Sequence, residues 1–275
     1  MNAMRLSNIL SGKNYVFGGK NCKKPKLSHP LFSIITPVKN DFLNIEKTIQ
    51  SVLMQKCKNF EYLIVDGNSD DGTLDVIKKY NNKIDFWVSC DDKNLWEAIN
   101  TGIKLSSGQI IGIINSKDIY YKNALEIVKK YFLNFKIDFL FGAVKKNKVY
   151  YLFEPQKISY RFNIYPAHSI GFFIKKKSQY KVGFYDESLA HCSDYDLFYR
   201  MICKEKFKGM PTSKKEVLGK FDLNGISSRL SFLHQLYYEM LVRLKNKQNI
   251  FFLIFLIIAR LFHKIINYKK VSKIY

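Results

Sequence analysis

Four short runs of branched and aromatic residues, each leading into a polar cluster, constrain this chain more than any other feature: "FSIITPV" (32–38), "EYLIVDG" (61–67), "DFWVS" (85–89) and "QIIGIIN" (109–115). None alternates apolar with polar residues as a half-solvated strand would. They read as strands buried on both faces, the kind found in parallel sheets covered by helices. Between them, "NIEKTIQSVLMQ" puts Ile45, Ile49, Val52 and Leu53 on one helical face. "TLDVIKKY" follows an Asp/Gly/Ser cluster suited to a helix start, and "LWEAINTGIKL" supplies a third helix. Strands alternating with helices require crossover connections. The expected fold class is therefore α/β, with an open, mostly parallel central sheet flanked by helices. Ligands of such sheets sit beyond the carboxyl ends of the strands, and Asn40, Asp66 and Asp118 all fall there.

The first strand is expected to stop at Pro37. Farther on, "DFLFGAV" and "KVYYLF" read as added strands, and "SDYDLFYRMICKE" as a helix with Asp194 and Asp196 at its start. A carboxylate in that position often serves only as an N-cap. With 275 residues and no internal repeat, the chain is long enough for one α/β domain with an appendage. We expect a basic, loosely ordered leader over 1–28, a catalytic-type domain over 29–225 and a helical tail over 226–275.

The formal net charge is +22, and much of the excess lies at the ends: no acid occurs before Asp41 or after Glu239. Such ends suit nucleic acid or an anionic membrane surface, and charge alone does not choose between them. No nucleic-acid-binding module is recognisable, and the basic residues of the tail lie beside apolar segments. Residues 250–259, "IFFLIFLIIA", are apolar throughout. As a helix they reach about 15 Å, roughly half of a bilayer core, so they do not span one. The preceding Leu233, Leu236, Tyr237, Met240, Leu241 and Leu244 are amphipathic. The expectation is a helix pair lying in an anionic membrane interface, with a docking helix or an oligomer contact as the alternative. Five scattered cysteines without CxxC spacing indicate reduced thiols and neither zinc nor a disulfide framework. The N-terminus carries no signal-peptide pattern, so the expected location is cytoplasmic, peripheral on the inner face of the cell membrane.

"VDGNSDDGT" (65–73) is the most specific segment. Taken alone it is either a polar turn that caps a helix or a strand-end acceptor, Asp66, for an imide or amide N–H of a base. Together with "SIITPVKN", "LWEAINTGIKLSSGQIIGIINSKDIYY" and "GFYDESLAHCSDYDLFYR", in this order and spacing, it resembles the family 2 glycosyltransferases of GT-A fold over roughly residues 31–205. That resemblance implies a Rossmann-like GT-A domain that moves a sugar, with inversion, from a nucleotide-diphosphate donor, most simply a UDP-sugar. The implied acceptor is a glycan or lipid-linked molecule of surface-polysaccharide assembly, of the lipopolysaccharide or capsule type.

By position, the resemblance makes Thr36 and Pro37 the donor-base wall and Asp66 the uracil contact. It puts Asp92 at the nucleotide, Asp118 on a metal, His168 near the substrate and Asp194 in the role of the base. Asp196 and Arg200 would tie the helix, and Asp186 would order the turn before it. The chain departs from the family pattern at Asn94, where glycine is usual, at Glu97, where aspartate is usual, and at Lys117, which replaces the first of two adjacent acids.

The departing diphosphate needs positive charge as the bond to the sugar breaks. Three readings of Lys117-Asp118 follow, in order of preference. Mg2+ or Mn2+ is held by Asp118 alone. Alternatively, the Lys117 ammonium supplies the charge. In the third, catalysis has decayed and the chain is a silent partner subunit. The acceptor side needs only one carboxylate, since the leaving diphosphate requires no protonation. A basic nucleic-acid-binding protein remains as a competing class. Sugar, acceptor and oligomeric state are not readable.

Overall fold

A computed structural model describes residues 3–21, 30–161, 164–165, 168–189, 191–222 and 231–271. In chain order the elements are α1 (Ala3–Ile9), β1 (Tyr15–Gly18), β2 (Phe32–Val38), α2 (Phe42–Leu53), β3 (Phe60–Asp66), α3 (Thr73–Lys79), β4 (Phe86–Cys90), α4 (Leu95–Leu105) and β5 (Ile110–Ile113). Then come β6 (Ile119–Tyr120), α5 (Ala124–Asn134), β7 (Phe139–Phe141), β8 (Ala143–Lys145), β9 (Val149–Tyr150), α6 (His168–Gly171), β10 (Phe172–Lys175) and α7 (Lys176–Val182). The chain continues through α8 (Ser193–Tyr199), β11 (Gly209–Pro211), β12 (Val217–Lys220), α9 (Phe232–Lys245) and α10 (Ile250–Val271).

The four strands and three helices expected from the alternation are all present. An eight-stranded sheet runs β1-β4-β3-β2-β5-β10-β7-β11, and a four-stranded one runs β6-β12-β8-β9. The block β4-β3-β2-β5 is parallel. From β2 the chain winds to one side through β3 and β4, then crosses to the other side at β5. The order therefore reverses between β2 and β5, and the crevice that such a reversal opens is where an open α/β sheet binds ligands.

Local sequence explains this geometry. All seven residues of β2 are buried, and α2 turns Ile45, Thr48, Ile49, Ser51 and Val52 inward. In α4, Gly102 lies against Ile35 so closely that a Cβ would collide with its side chain, which seats the helix tightly on the sheet. Pro37 does not stop β2, which pairs with β3 as far as Val38. The Ile114 amide donates to the Ile35 carbonyl, so Ile35 and Pro37 present their backbones to β5. Pairing with β5 ends at Ile35, and the missing N–H of Pro37 falls just past it, where the crevice opens.

The leader differs from expectation over residues 3–21. There α1 buries Leu6, the turn just after it buries Leu10, and β1 pairs antiparallel with β4 from Tyr15↔Cys90 to Gly18↔Trp87. One short helix and a four-residue strand carry too few apolar positions for periodicity to reveal them.

The tail also divides. In α9, Val242 joins the main core, and Arg243 is fully buried, donating to the carbonyls of Ser159 at 2.6 Å and Ile158 at 3.1 Å. Asn246 donates to Asp196 at 2.8 Å. This helix is docked on the domain, so the expectation that both tail helices lie in a membrane interface does not fit it. By contrast, α10 touches α9 through Leu253 and Leu256 against Leu236 and Met240, and leaves Phe251, Ile254, Phe255, Ile258, Phe262 and Ile265 exposed. Arg260, which interrupts the apolar run, turns back to Glu239 on α9 with contacts of 2.7 and 3.0 Å. No helix among the described residues is long and apolar enough to cross a membrane.

Candidate functional site

Beyond the ends of β3 and β4, side chains hold the loops in register. Asp66 is fully buried and accepts from the Ser69 amide at 3.1 Å, the Ser69 hydroxyl at 2.5 Å and the Ser89 hydroxyl at 2.6 Å. Asn68 donates to Asp91 at 2.9 Å. Ser69 also accepts from the Asn40 amide at 2.8 Å, which brings the end of β2 to the same turn. Asp66 has thus spent most of its acceptor capacity on its own loop, leaving room for about one further donor. Thr36 is buried in the sheet with its hydroxyl 3.0 Å from that of Tyr62, so Pro37 rather than Thr36 lies at the crevice edge.

At the switch point, Ser116 donates to Asp41, whose carboxylate also lies 4.0 Å from the Lys117 ammonium. Lys117 is 43% exposed at its side chain and adopts φ of 85°. That left-handed conformation costs a side chain such as lysine about 1–2 kcal/mol, and Asp or Asn less. Lys117→Asn is expected to raise the melting temperature by roughly 2 °C, read by calorimetry. An unchanged or lower value would contradict strain at this turn.

Asp118 is buried on the inner side of the turn. Its oxygens accept from the Ser169 hydroxyl at 2.5 Å and the Asp222 amide at 2.9 Å. Burial pushes its carboxyl up to about 7, against those two hydrogen bonds; the Asp222 carboxylate raises it further and Lys146 lowers it. Ser169, Asp222 and Lys146 come from α6, the end of β12 and the loop after β8. No sequence signal marked them, because only the second sheet brings these segments together.

No group of three or more His, Cys, Asp and Glu side chains gathers as a metal cage among the described residues. The donor set does suit a cation carried by the substrate. Mg2+ or Mn2+ on a diphosphate takes one or two protein carboxylates and fills its other positions with phosphate oxygens and water. Asp118, with Asp222 beside it, offers that much.

Asp194 lies in the first turn of α8, whose N-cap is Cys192, and its carboxylate accepts from the neighbouring Tyr195 amide at 2.8 Å. It is therefore not the N-cap residue, although it satisfies one amide of the first turn. Burial pushes its carboxyl up to about 6. Asp196, its neighbour, binds Arg200 at 2.8 Å, and Arg200 continues to the carbonyls of Val182 and Phe184, so these two tie the helix. Asp186 accepts from the Ser188 amide at 2.9 Å and pairs with Lys245, ordering the turn before α8.

His168 is buried, its Nε2 2.6 Å from the Tyr185 hydroxyl, among Trp96, Phe172 and Phe198. Burial pulls its pKa down to about 3, which keeps the ring neutral. Tyr185 stacks on Trp96 with centroids 5.4 Å apart and feels the Asp194 charge, so His168 and Asp194 meet around one tyrosine. Two asparagines hold this loop: Asn100, which carried no sequence signal, and Asn94, marked in the sequence only as a departure from the family pattern. Asn100 exchanges hydrogen bonds with the Tyr185 backbone at 2.9 Å, and Asn94, the N-cap of α4, donates to the Glu187 carbonyl at 3.0 Å.

Asp92 sits just past β4 with Lys13 of the leader 2.7 Å away, and Lys13 also lies 2.9 Å from Glu97. The site residues thus fall into three neighbourhoods: Asp66 and Asp92 beyond β3 and β4, Lys117 and Asp118 at the β2/β5 reversal, and Asp194 with His168 at α8.

The family model described as "Glycosyl transferase family 2" matches residues 33–198. An uncharacterized glycosyltransferase of Rickettsia bellii is 28% identical over 262 residues, covering 83% of this chain and 37% of that protein. The Escherichia coli UDP-Glc:alpha-D-GlcNAc-diphosphoundecaprenol beta-1,3-glucosyltransferase WfgD is 34% identical over 135 residues, covering 47% of this chain and 53% of its own. This chain therefore spans less than two thirds of either relative. Among solved structures, a mannosyltransferase from Pyrobaculum calidifontis in complex with GDP-Man and Mn2+ aligns at a TM-score of 0.63 and 13% identity, covering 90% of this chain and 70% of its own.

Proposed function

Because this chain belongs to glycosyl transferase family 2, we propose that it moves a sugar, with inversion, from a nucleotide-diphosphate donor to a hydroxyl of a glycan or lipid-linked acceptor in surface-polysaccharide assembly. The observation that carries the reading is Asp194, a buried carboxyl raised to about 6 in the first turn of α8, beyond the N-cap position held by Cys192. A base poised near the working pH is what deprotonation of a sugar hydroxyl requires. In this mechanism the acceptor oxygen attacks the anomeric carbon, its proton passes to Asp194, and the bonding pair to the donor oxygen leaves on the diphosphate. Asp118 would hold Mg2+ or Mn2+, which when bound supplies charge to that diphosphate. Lys117, exposed at the reversal, adds an ammonium on the same side. Pro37 and Asp66 would border the base, and His168 would set Tyr185 beside Asp194.

A uridine donor is supported by the name of the Escherichia coli relative, while the archaeal neighbour is seen with GDP-Man. We take UDP as the first candidate. The lipid-linked substrate named for the same relative supports a membrane-bound acceptor, and the exposed apolar stripe of α10, in a stretch without acids after Glu239, would lie in an anionic interface on the cytoplasmic side. A catalytically silent partner subunit is the second reading, favoured by Lys117 alone.

Calorimetric titration of UDP and of GDP, each with Mn2+ and with chelator, followed by donor turnover, tests this. Saturable UDP binding that is strengthened by Mn2+, with turnover, is the expected result. Binding without any turnover would favour the silent reading, and no binding of either nucleotide would refute the transferase.

A further inference from the structure

Lys13 lies outside the segment that matches the family, yet it enters the nucleotide end of the sheet. The turn after α1 places it there: Leu6 and Leu10 anchor α1 in the core, and β1 then runs along β4. Its ammonium bridges Asp92 Oδ1 at 2.7 Å and Glu97 at 2.9 Å, with only 20% of the side chain exposed. Glu97 is fixed in turn by the Lys93 amide at 2.6 Å. The longer glutamate, in place of the expected aspartate, gives Lys13 its second anchor.

Asp92 itself is odd. Its side chain is 3% exposed, and Oδ2 is buried with no hydrogen-bond partner among the described residues. A buried carboxylate oxygen left without a donor is costly, and such exceptions call for an explanation such as a ligand. Burial raises the Asp92 carboxyl, while Lys13 works against that. One oxygen is thus clamped and the other left as an acceptor next to the turn that holds Asp66.

We propose that Lys13 is a positioning residue, fixing Asp92 by Oδ1 so that Oδ2 can accept a hydrogen bond from the nucleoside part of the donor, a base N–H or a ribose hydroxyl. This rests on the donor-binding reading above. It makes residues 3–21 part of the binding site and predicts a loss confined to the nucleoside end, since Lys117 and Asp118 serve the diphosphate.

The test uses the full chain and three probes: UDP, UMP and inorganic pyrophosphate, the last measured by displacement of UDP. Lys13→Met is expected to weaken UDP and UMP about tenfold each and to change pyrophosphate less than twofold. Lys13→Arg should restore nucleotide affinity to within about threefold. Asp92→Asn should match Lys13→Met, and the double variant should be no worse than either. Asp92→Asn also carries the test if Lys13→Met fails to fold, because it leaves the leader's lysine in place. Unchanged UMP affinity in Lys13→Met or Asp92→Asn, or an equal loss for pyrophosphate, overturns the role of Lys13. If the wild type binds neither UDP nor GDP, the donor reading falls, and this inference falls with it.

Discussion

Asp194→Asn is expected to lower donor turnover by about 10²–10⁴-fold, the usual worth of a positioned general base, while UDP affinity stays within about twofold. The two carboxylates proposed for chemistry sit on different elements, Asp194 on α8 and Asp118 after β5, so removing the base leaves the diphosphate contacts in place. The pH profile gives a second readout. Burial raises the Asp194 carboxyl to about 6, and only the carboxylate can take the acceptor proton. Wild-type turnover should therefore rise with pH through about 6 and fall below it as the base is protonated. The residual rate of Asp194→Asn should lack the limb at about 6, leaving only the one that Asp118, raised to about 7, imposes through the diphosphate. A variant retaining more than a tenth of wild-type turnover would remove Asp194 from the role of base.

Membrane association carries the second large effect. Phe255 and Ile258 lie on the solvent side of α10, exposed by 62% and 60%, and away from the Leu253 and Leu256 contacts with α9. Burying each in the interface contributes about 1.5–3 kcal/mol. Losing both should reduce partitioning by about 10²–10⁴-fold, and the two added anionic charges should weaken it further on an acidic surface. Co-sedimentation of Phe255→Glu/Ile258→Glu with vesicles containing a third anionic lipid measures this. The wild type is expected to sediment with the vesicles and the variant to remain in solution, with the melting temperature nearly unchanged because neither side chain is buried. A wild type that ignores vesicles would assign the stripe to a protein contact.

Legibility in the sequence followed the length scale of each signal. The buried runs at β2, β3, β4 and β5 were readable because a strand covered on both faces is apolar at every position. The helices α2, α3 and α4 were readable from spacing and capping. The family match covers the same stretch. Pro37 shows the limit of local rules: proline does end pairing with β5, but the other edge of β2 uses alternate residues and continues to Val38. In the leader, Leu6 and Leu10 do not make a pattern, and only the packing of α1 shows their purpose. Among the candidate site residues, Asp66, Asp118 and Asp194 could be placed at strand or helix ends, but their partners could not. Ser89, Ser169, Asp222 and Tyr185 come from distant segments.

The sequence by itself determined the alternating α/β order, the family and the strand ends at which polar residues collect. These depend on periodicity and motif, which are local properties. Only the tertiary structure decided how those groups are tuned: Asp118 buried between Ser169 and Asp222, His168 kept neutral in an aromatic cluster, Lys13 brought onto Asp92, and α9 docked while α10 keeps an exposed apolar face. Burial and hydrogen-bond partners set these states, and they arise from contacts between residues far apart in the chain.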